Sequence, residues 1–317
     1  MPARLLTRLR RRWLPLLCMT ALIVGLPVSC GVLKQKEREW LFRIEPGTAG
    51  WYQGLPQDVE EFDIKPVGFK AGQNLHAWWW PAARRDAPSI LYLHGVRWNL
   101  TGQAFRIEQL RAMGYSVLAI DYRGFGQSKG DLPSEASVYE DAHAAWDRFT
   151  AMQPDANKRL IYGHSLGGAV AIDLAADLAA QAKKDHVAVP VRGLVIESTF
   201  TSLGDAVAQV ADNNLPVKWL PLRWLLSQKF DSIDKIVGID MPLLVVHGLA
   251  DPFIPSRFSQ QLFNAASEPK RLLLVPGGTH NNTMSQGGNQ YRQAIESLMK
   301  AKPTQMAGPS GNPGLAG

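Results

Sequence analysis

Six short apolar runs recur along the 317-residue chain, and segments with helical periodicity separate most of them. Runs of this length without polar alternation are typical of strands buried on both faces. Parallel strands need a crossover connection, usually a helix, so this order predicts an α/β fold: a mostly parallel sheet with helices on both faces. The six runs are SILYLHG, SVLAIDY, RLIYGHS, GLVIEST, PLLVVHG and KRLLLVPG.

Two further runs before these, DVEEFDI and LHAWWWPA, are joined by KAGQN and predict an antiparallel strand pair. The periodicity predicts five helices between and after the strands. They are expected over Gln103–Met113, Glu135–Phe149, Leu166–Lys183, Pro255–Ala266 and Tyr291–Lys300.

The strands and helices together predict one domain over residues 58–301. One region, about 201–240, interrupts the alternation and is rich in Trp, Leu and Pro, so it is interpreted as a small helical cap. Residues 34–57 are interpreted as a lead-in linker. The Pro- and Gly-rich residues 302–317 are predicted to be a disordered tail.

Residues 1–33 are predicted to be a membrane anchor or signal segment. An arginine-rich tip precedes an uncharged run from Trp13 to Leu33, which as a helix would be roughly 31 Å long. The arginines favour a cytoplasmic tip, with the rest of the chain on the non-cytoplasmic side. Three fates remain open: an uncleaved anchor, a cleaved signal, or a lipoprotein signal that ends at Cys30.

The charge distribution argues against a nucleic-acid partner. The formal net charge is +6, and five arginines of the N-terminal tip supply most of it, so the body is close to neutral. Both cysteines, Cys18 and Cys30, lie in the N-terminal run, which leaves the body no thiolate for a metal site or a nucleophile. The histidines show no metal-ligand spacing, so a metal site is not expected.

The sequence GHSLG, residues 163–167, follows a predicted strand and opens a predicted helix. This is the setting in which G-x-S-x-G places a serine on a sharp strand-to-helix turn. A serine hydroxyl needs a neighbouring base to attack a carbonyl, and donors where the oxyanion forms. The motif therefore predicts Ser165 as a nucleophile. The backbone N–H groups of Leu166 and Val96 are the expected oxyanion donors.

Asp251 and His280 occupy the loops after the last two predicted strands. Because the carboxyl ends of parallel strands share one edge, both are expected to meet Ser165 there. His280 would act as general base and then acid, and Asp251 would orient and stabilise its ring. Asp121 also ends a strand, but that strand precedes the serine, so strand order favours Asp251.

Taken together, these segments resemble the α/β-hydrolase superfamily, specifically its membrane-anchored serine hydrolases with small caps. The resemblance spans about Asp58–Met299 and implies hydrolysis of an ester, thioester or amide without a cofactor. In HGVRWN, Arg97 and Trp98 depart from the residues usual after HG. The segments that carry the resemblance are LYLHG, AIDYRGFGQSKG, GHSLGG, VIESTFTS, HGLADPFIP and GGTH.

The sequence therefore predicts a serine hydrolase of carboxylic esters, including lipid-like or thioester substrates, working through an acyl-enzyme. Two alternatives remain: a peptidase or amidase of the same fold, and a non-catalytic envelope binding module. The expected partners are a small-molecule or lipid-like ester and, through the N-terminus, a membrane. Glu197, Trp219 and Trp224 are the candidates for lining the substrate pocket. For Glu197, a reserve acid and a carboxylate that braces its loop are the alternatives.

Overall fold

The computed structural model describes residues 31–66, 68–214 and 226–301, with only the backbone described at 210–214. Within these ranges, eight strands form one sheet. The strands are β1 (Glu60–Ile64), β2 (Leu75–Trp80), β3 (Ser89–Leu93), β4 (Ser116–Ile120), β5 (Arg159–His164), β6 (Gly193–Glu197), β7 (Leu243–Gly248) and β8 (Lys270–Val275).

The sheet is mostly parallel, as the sequence predicts. Its strand order is β1-β2-β4-β3-β5-β6-β7-β8. β2 runs antiparallel to both β1 and β4, and every other neighbouring pair is parallel. The predicted antiparallel pair and the six predicted parallel strands are therefore confirmed. The carboxyl ends of β3 to β8 all lie at one edge of the sheet.

Helices connect the strands, and two of them begin earlier than the periodicity predicts. One starts at Leu100 because the Asn99 side chain caps it by accepting a hydrogen bond from the Thr101 N–H. The last starts at Thr283, since a glycine-rich first part precedes a kink at Gly288. The helices are α1 (31–42), α2 (Leu100–Ala112), α3 (Glu135–Met152), α4 (Leu166–Asp185), α5 (Leu203–Asn214), α6 (Ser232–Lys235), α7 (Arg257–Ala265) and α8 (Thr283–Lys300).

The core is divided into two layers by the sheet. On β3, Leu91 and Leu93 face the layer that contains α3, α4 and α7, while Ile90 and Tyr92 face the layer that contains α2 and α8. All four side chains are fully buried. This two-sided burial explains why the central strands are mostly apolar instead of alternating between apolar and polar residues.

Residues 34–57, interpreted from the sequence as a linker, pack against the body of the domain. Phe42 is fully buried, and its ring meets the rings of Phe125 and Phe230 edge-on at centroid distances of 6.2 and 6.5 Å. Glu37 accepts a hydrogen bond of 2.9 Å from the Gln228 N–H. These contacts fix the segment beside the carboxyl edge of the sheet.

Several predictions concern residues outside the described ranges. Of the predicted cap, the structure describes α5 and α6, whereas residues 215–225, with Trp219 and Trp224, lie outside. Residues 1–30 and 302–317 also lie outside, so membrane attachment and the tail stay predictions. None of the helices in the described residues combines the length and the apolar character that a membrane crossing requires.

Candidate active site

Ser165 occupies a strained corner between β5 and α4. Its backbone has φ 56° and ψ −123°, a left-handed conformation that costs on the order of 1–3 kcal/mol for a residue with a side chain. The Ser165 N–H donates to the Glu197 carbonyl at 2.9 Å, which ties the corner to the end of β6. A Cβ atom at Gly167 would lie 2.1 Å from the Leu93 carbonyl oxygen, so only glycine fits there.

Asp251 and His280 meet beyond the ends of β7 and β8. The His280 Nδ1 atom lies 2.7 Å from Asp251 Oδ2, and the Asp251 side chain is 1% exposed. Because a carboxylate only accepts, Nδ1 carries the proton and Nε2 of a neutral ring is free to accept one. This is the arrangement that a general base requires.

The loop after β7 keeps Asp251 ionised and oriented. Its Oδ1 atom accepts hydrogen bonds from the N–H groups of Phe253 at 2.8 Å and Ile254 at 3.0 Å. Burial alone would raise the pKa of Asp251. Interactions with His247 and His280 and the Ile254 N–H outweigh that effect, so the pKa lies well below its usual value.

Ser165 and His280 line the same cavity, but no hydrogen bond joins them among the contacts of these two described residues. Hydrogen bonds between a nucleophile and its base are often long in unliganded enzymes and shorten when substrate binds. Ser165 and His280 therefore line one cavity, and the Asp251 carboxylate is already hydrogen-bonded to the imidazole.

The loop after β3 lies directly beside the serine. A Cβ atom at Gly95 would come within 3.0 Å of the Ser165 Cβ atom, so glycine permits this approach. In the next residues, the Arg97 N–H donates to the Phe42 carbonyl and the Trp98 N–H to the Val96 carbonyl. No backbone acceptor within the described ranges takes the Val96 N–H. Leu166 is the first residue of α4, where an N–H has no acceptor within its own helix.

The cavity in front of Ser165 has a volume of about 670 Å³. Part of its wall comes from residues 34–57, which sequence reasoning did not place at the site. Trp51 packs edge-on against Trp98 at a ring-centroid distance of 5.1 Å. Two arginines, Arg43 and Arg97, bring positive charge to the wall. Its aromatic and aliphatic side chains are those of Trp51, Val96, Trp98, Phe105, Phe253 and Ile254.

The prediction that Glu197 lines the pocket needs correction. Its side chain is 0% exposed and forms an ion pair with Arg106 at 2.5 Å. The hydroxyls of Tyr162 and Tyr291 donate to its other carboxylate oxygen. Alternation along β6 turns Glu197 towards the α2 and α8 layer, together with Val195, and therefore away from the cavity.

Asp121, the rival acid in the sequence, lies elsewhere. Its Oδ1 atom accepts from the Leu100 N–H at 2.8 Å and lies 3.7 Å from the Nε2 atom of buried His94. Burial raises the pKa of Asp121 to about 7 and lowers that of His94 to about 4. Arg123, which follows Asp121 closely in the sequence, pairs with Asp141 instead.

In the described part of the chain, one group of side chains has the composition of a metal site, and none of its members lines the cavity in front of Ser165. His143, Asp173 and Asp177 place one ligand atom each within 4.8 Å of one another on α3 and α4. Lys235 already forms an ion pair with Asp173 at 2.5 Å. A cation would have to displace that ammonium group, so the cluster has its charge partly neutralised without a metal.

Comparison with known proteins places the chain in a family. The family model described as serine aminopeptidase, S33, matches residues 85–234. Rv2307c of Mycobacterium tuberculosis is 35% identical over 230 residues, which are 72% of this chain and 75% of that protein. The α/β-hydrolase domain-containing protein WAV2 of Arabidopsis thaliana is 30% identical over 255 residues, which are 73% of this chain and 77% of that protein. The chain belongs to the α/β-hydrolase family. It is therefore a hydrolase by family, and its eight-stranded, mostly parallel sheet matches the fold of solved α/β-hydrolase structures.

Two more distant relatives carry named activities. The lysophosphatidylserine lipase ABHD12 of Xenopus tropicalis is 32% identical over 213 residues, 63% of this chain and 52% of the lipase. The structure of the Pyrococcus furiosus esterase Pf2001 superposes with a TM-score of 0.60 at 19% identity, over 81% of this chain and 98% of the esterase. At that identity the superposition supports the fold alone.

Proposed function

We propose that this α/β-hydrolase cleaves carboxylic esters through an acyl-enzyme on Ser165. The observation that carries the proposal is the strained Ser165 corner in one cavity wall with His280, whose Nδ1 atom is bound to the buried carboxylate of Asp251. A serine held in a costly backbone conformation and exposed to a cavity is suited to attack and has no evident structural purpose.

The steps follow from which atoms are free. Ser165 Oγ attacks the ester carbonyl carbon while His280 Nε2 takes the hydroxyl proton. Negative charge then develops on the carbonyl oxygen, where the N–H groups of Val96 and Leu166 can donate to it. His280 returns its proton to the departing alcohol, and water cleaves the acyl-enzyme by the same route in reverse.

The cavity wall favours an ester with an apolar part and an anionic part. Trp51, Trp98 and Phe253 offer the apolar surface. Arg43 and Arg97 contribute positive charge; Arg97 also lies 3.7 Å from Glu45, while Arg43 forms no ion pair with a described residue. The named substrate class of the Xenopus relative, a lysophospholipid with an anionic head group, has this combination.

An aminopeptidase activity, which the family description names, fits this wall less well. A substrate with a free α-amino group needs a carboxylate near the scissile bond to bind its positive charge. Among the described residues that line the cavity there is no Asp or Glu. The charges present would repel an ammonium group, so esterase activity is the better-supported proposal.

The deciding experiment measures turnover of short p-nitrophenyl esters and of an aminoacyl p-nitroanilide. We expect ester hydrolysis that Ser165→Ala abolishes, and little hydrolysis of the anilide. Substantial ester turnover by Ser165→Ala would overturn the nucleophile assignment. Failure of a fluorophosphonate probe to label Ser165 would favour the non-catalytic binding module.

We also propose that residues 1–33 attach the protein to a membrane, with the catalytic domain on the non-cytoplasmic side. The basic tip and the uncharged run support this proposal. Mass spectrometry of the mature N-terminus tests it: an intact Met1 supports an anchor, and a diacylated Cys30 supports a lipoprotein. A cleaved N-terminus without a lipid would contradict attachment through this segment.

A further inference from the structure

Arg106 and Glu197 form a buried ion pair at the active-site edge of the sheet, and neither residue lines the cavity. The two side chains are 1% and 0% exposed, and their Nη1 and Oε1 atoms are 2.5 Å apart. A buried pair of this kind commonly adds little to stability compared with apolar residues of similar size. Its position suggests a different role, because both partners also contact the catalytic loops.

Both the side chain and the main chain of Glu197 are held by hydrogen bonds. Its second carboxylate oxygen accepts from Tyr162 on β5 and from Tyr291 on α8. Burial, together with the neighbouring Glu197, raises the pKa of both tyrosines well above the usual value, so both hydroxyls keep the protons that they donate. Its main-chain carbonyl accepts from the Ser165 N–H at 2.9 Å. One residue is thus bonded to the nucleophile corner and to Arg106.

Arg106 extends the connection to the loop that carries His280. Its Nη2 atom lies 3.4 Å from the Asn281 carbonyl oxygen and 3.5 Å from the His280 carbonyl oxygen. The same Nη2 atom is 3.2 Å from His164 Nε2, which in turn lies 2.9 Å from the His280 carbonyl. Two donors therefore converge on the main chain of the residue whose side chain must reach Ser165.

The protonation of His164 fits this arrangement. Burial lowers its pKa well below the usual value, and the positive charge of Arg106 lowers it further, so the ring is neutral. A carbonyl oxygen can only accept, hence the single ring proton of His164 sits on Nε2 and points at His280. The Nδ1 atom of His164 has no hydrogen-bond partner in the described part of the chain.

We propose that the Arg106–Glu197 pair is a positioning device: it holds the main chain of the His280 loop at a fixed distance from the Ser165 corner. The proposal rests on the function proposed above, because it concerns the geometry of the same serine and imidazole. Misplacement of a catalytic group by about 1 Å can lower a rate by roughly 100-fold. Loss of the contacts between Arg106 and the main chain of the His280 loop would therefore lower kcat more than it changes KM.

Arg106→Lys separates the two contacts of the arginine. A lysine can pair with Glu197, but it has no second arm for the loop carbonyls. We expect kcat to fall at least about 10-fold, with KM changed less than about 2-fold, given the cost of misplacement. The rate of Ser165 labelling by a fluorophosphonate should fall in parallel, since labelling needs the same serine and base.

A matched control distinguishes positioning from stability. Glu197→Gln and Asp141→Asn each convert the carboxylate of a buried arginine pair to an amide, and Asp141 pairs with Arg123 away from the cavity. Both variants should lower the melting temperature. Only Glu197→Gln should lower kcat, when each is assayed well below its melting temperature.

The double variant Arg106→Met with Glu197→Gln removes both charges. A buried pair replaced by neutral groups often regains stability. We expect the double variant to have a higher melting temperature than Glu197→Gln, while its kcat stays low. The double variant also tests the positioning role if Arg106→Lys does not fold. A kcat within about 2-fold of wild type in the double variant would overturn the positioning role. If Ser165→Ala is inactive and the Arg106 variants are not impaired, the positioning role alone fails; an active Ser165→Ala would defeat the esterase mechanism itself.

Discussion

Replacing Asp251 with asparagine tests the catalytic assignment while it changes very little of the structure. The new amide can keep its Oδ1 atom on the N–H groups of Phe253 and Ile254, so the loop after β7 should hold its shape. At the other side, however, an NH₂ group would face His280 Nδ1 in place of the carboxylate oxygen 2.7 Å away.

The amide reverses the tautomer of the imidazole. Since NH₂ can only donate, His280 would accept at Nδ1 and carry its proton on Nε2, where it can no longer take one from Ser165. Loss of the orienting carboxylate in a serine triad costs roughly 10⁴-fold in kcat. That factor corresponds to about 5 kcal/mol of activation free energy.

The assay compares kcat for p-nitrophenyl acetate between wild type, Asp251→Asn and Asp121→Asn, with urea unfolding of each variant. Asp121 serves as the control because it is a buried strand-end carboxylate that contacts His94 and α2 and not His280. We expect a fall of about 10⁴-fold for Asp251→Asn alone. The reasoning is refuted if Asp251→Asn keeps more than about a tenth of the wild-type kcat, or if Asp121→Asn shows the larger loss.

Three further predictions concern stability and specificity. Phe42→Ala should lower the free energy of unfolding by about 3–5 kcal/mol, because a fully buried ring is lost; a loss under about 1 kcal/mol in urea titration would contradict the packing of residues 34–57. Burial lowers the pKa of His94 from 6.5 to about 4, so the unfolded chain binds a proton first as the pH falls, and the wild-type protein loses stability below pH 6.5. The free energy of unfolding of His94→Gln should therefore rise by about 2 kcal/mol relative to that of the wild type between pH 7 and pH 5. The absence of such a relative rise would disprove that His94 is buried in its neutral form. Arg43→Gln and Arg97→Gln should each lower kcat/KM for an anionic ester by about 2- to 5-fold at low salt, and should leave kcat/KM for a neutral ester unchanged. The control Arg84→Gln, at the opposite edge of the sheet, should change kcat/KM for neither ester.

The sheet and the serine corner could be predicted because their signals are local. Each strand is a short apolar run, and G-x-S-x-G carries its own backbone requirement, which the φ of 56° at Ser165 meets. The bounds of α2 and α8 were harder to predict, because both helices begin before the apolar periodicity does. In α2 the first turn is capped by a side chain, and in α8 the first part precedes a kink at a glycine.

The rest of the site depends on contacts between distant parts of the chain. Trp51 reaches the cavity because Phe42 packs in the core and places the following residues beside Trp98, and nothing in the local sequence reveals this. Glu197 was predicted to line the pocket from its position at a strand end. Its direction follows instead from alternation with Val195 and from the presence of a partner, Arg106, on the inner face of α2.

A weak signal for the Arg106–Glu197 pair is nevertheless present in the sequence. Arg106 lies three residues after Gln103 and four before Leu110, so a helical projection puts it among the buried positions of α2. A buried arginine requires a buried partner, and Glu197 is a carboxylate at the carboxyl end of a central strand. Reading the two observations together would have favoured a structural role for Glu197 over a place in the pocket.

The most direct test of the central claim is intact-protein mass spectrometry after acid quench of a reaction with a slowly hydrolysed p-nitrophenyl ester, followed by peptide mapping. The account predicts one acyl group per chain, released on further incubation, on the peptide that contains Ser165, with no adduct in Ser165→Ala. Ester hydrolysis at the full rate without any acylated Ser165 peptide would contradict it.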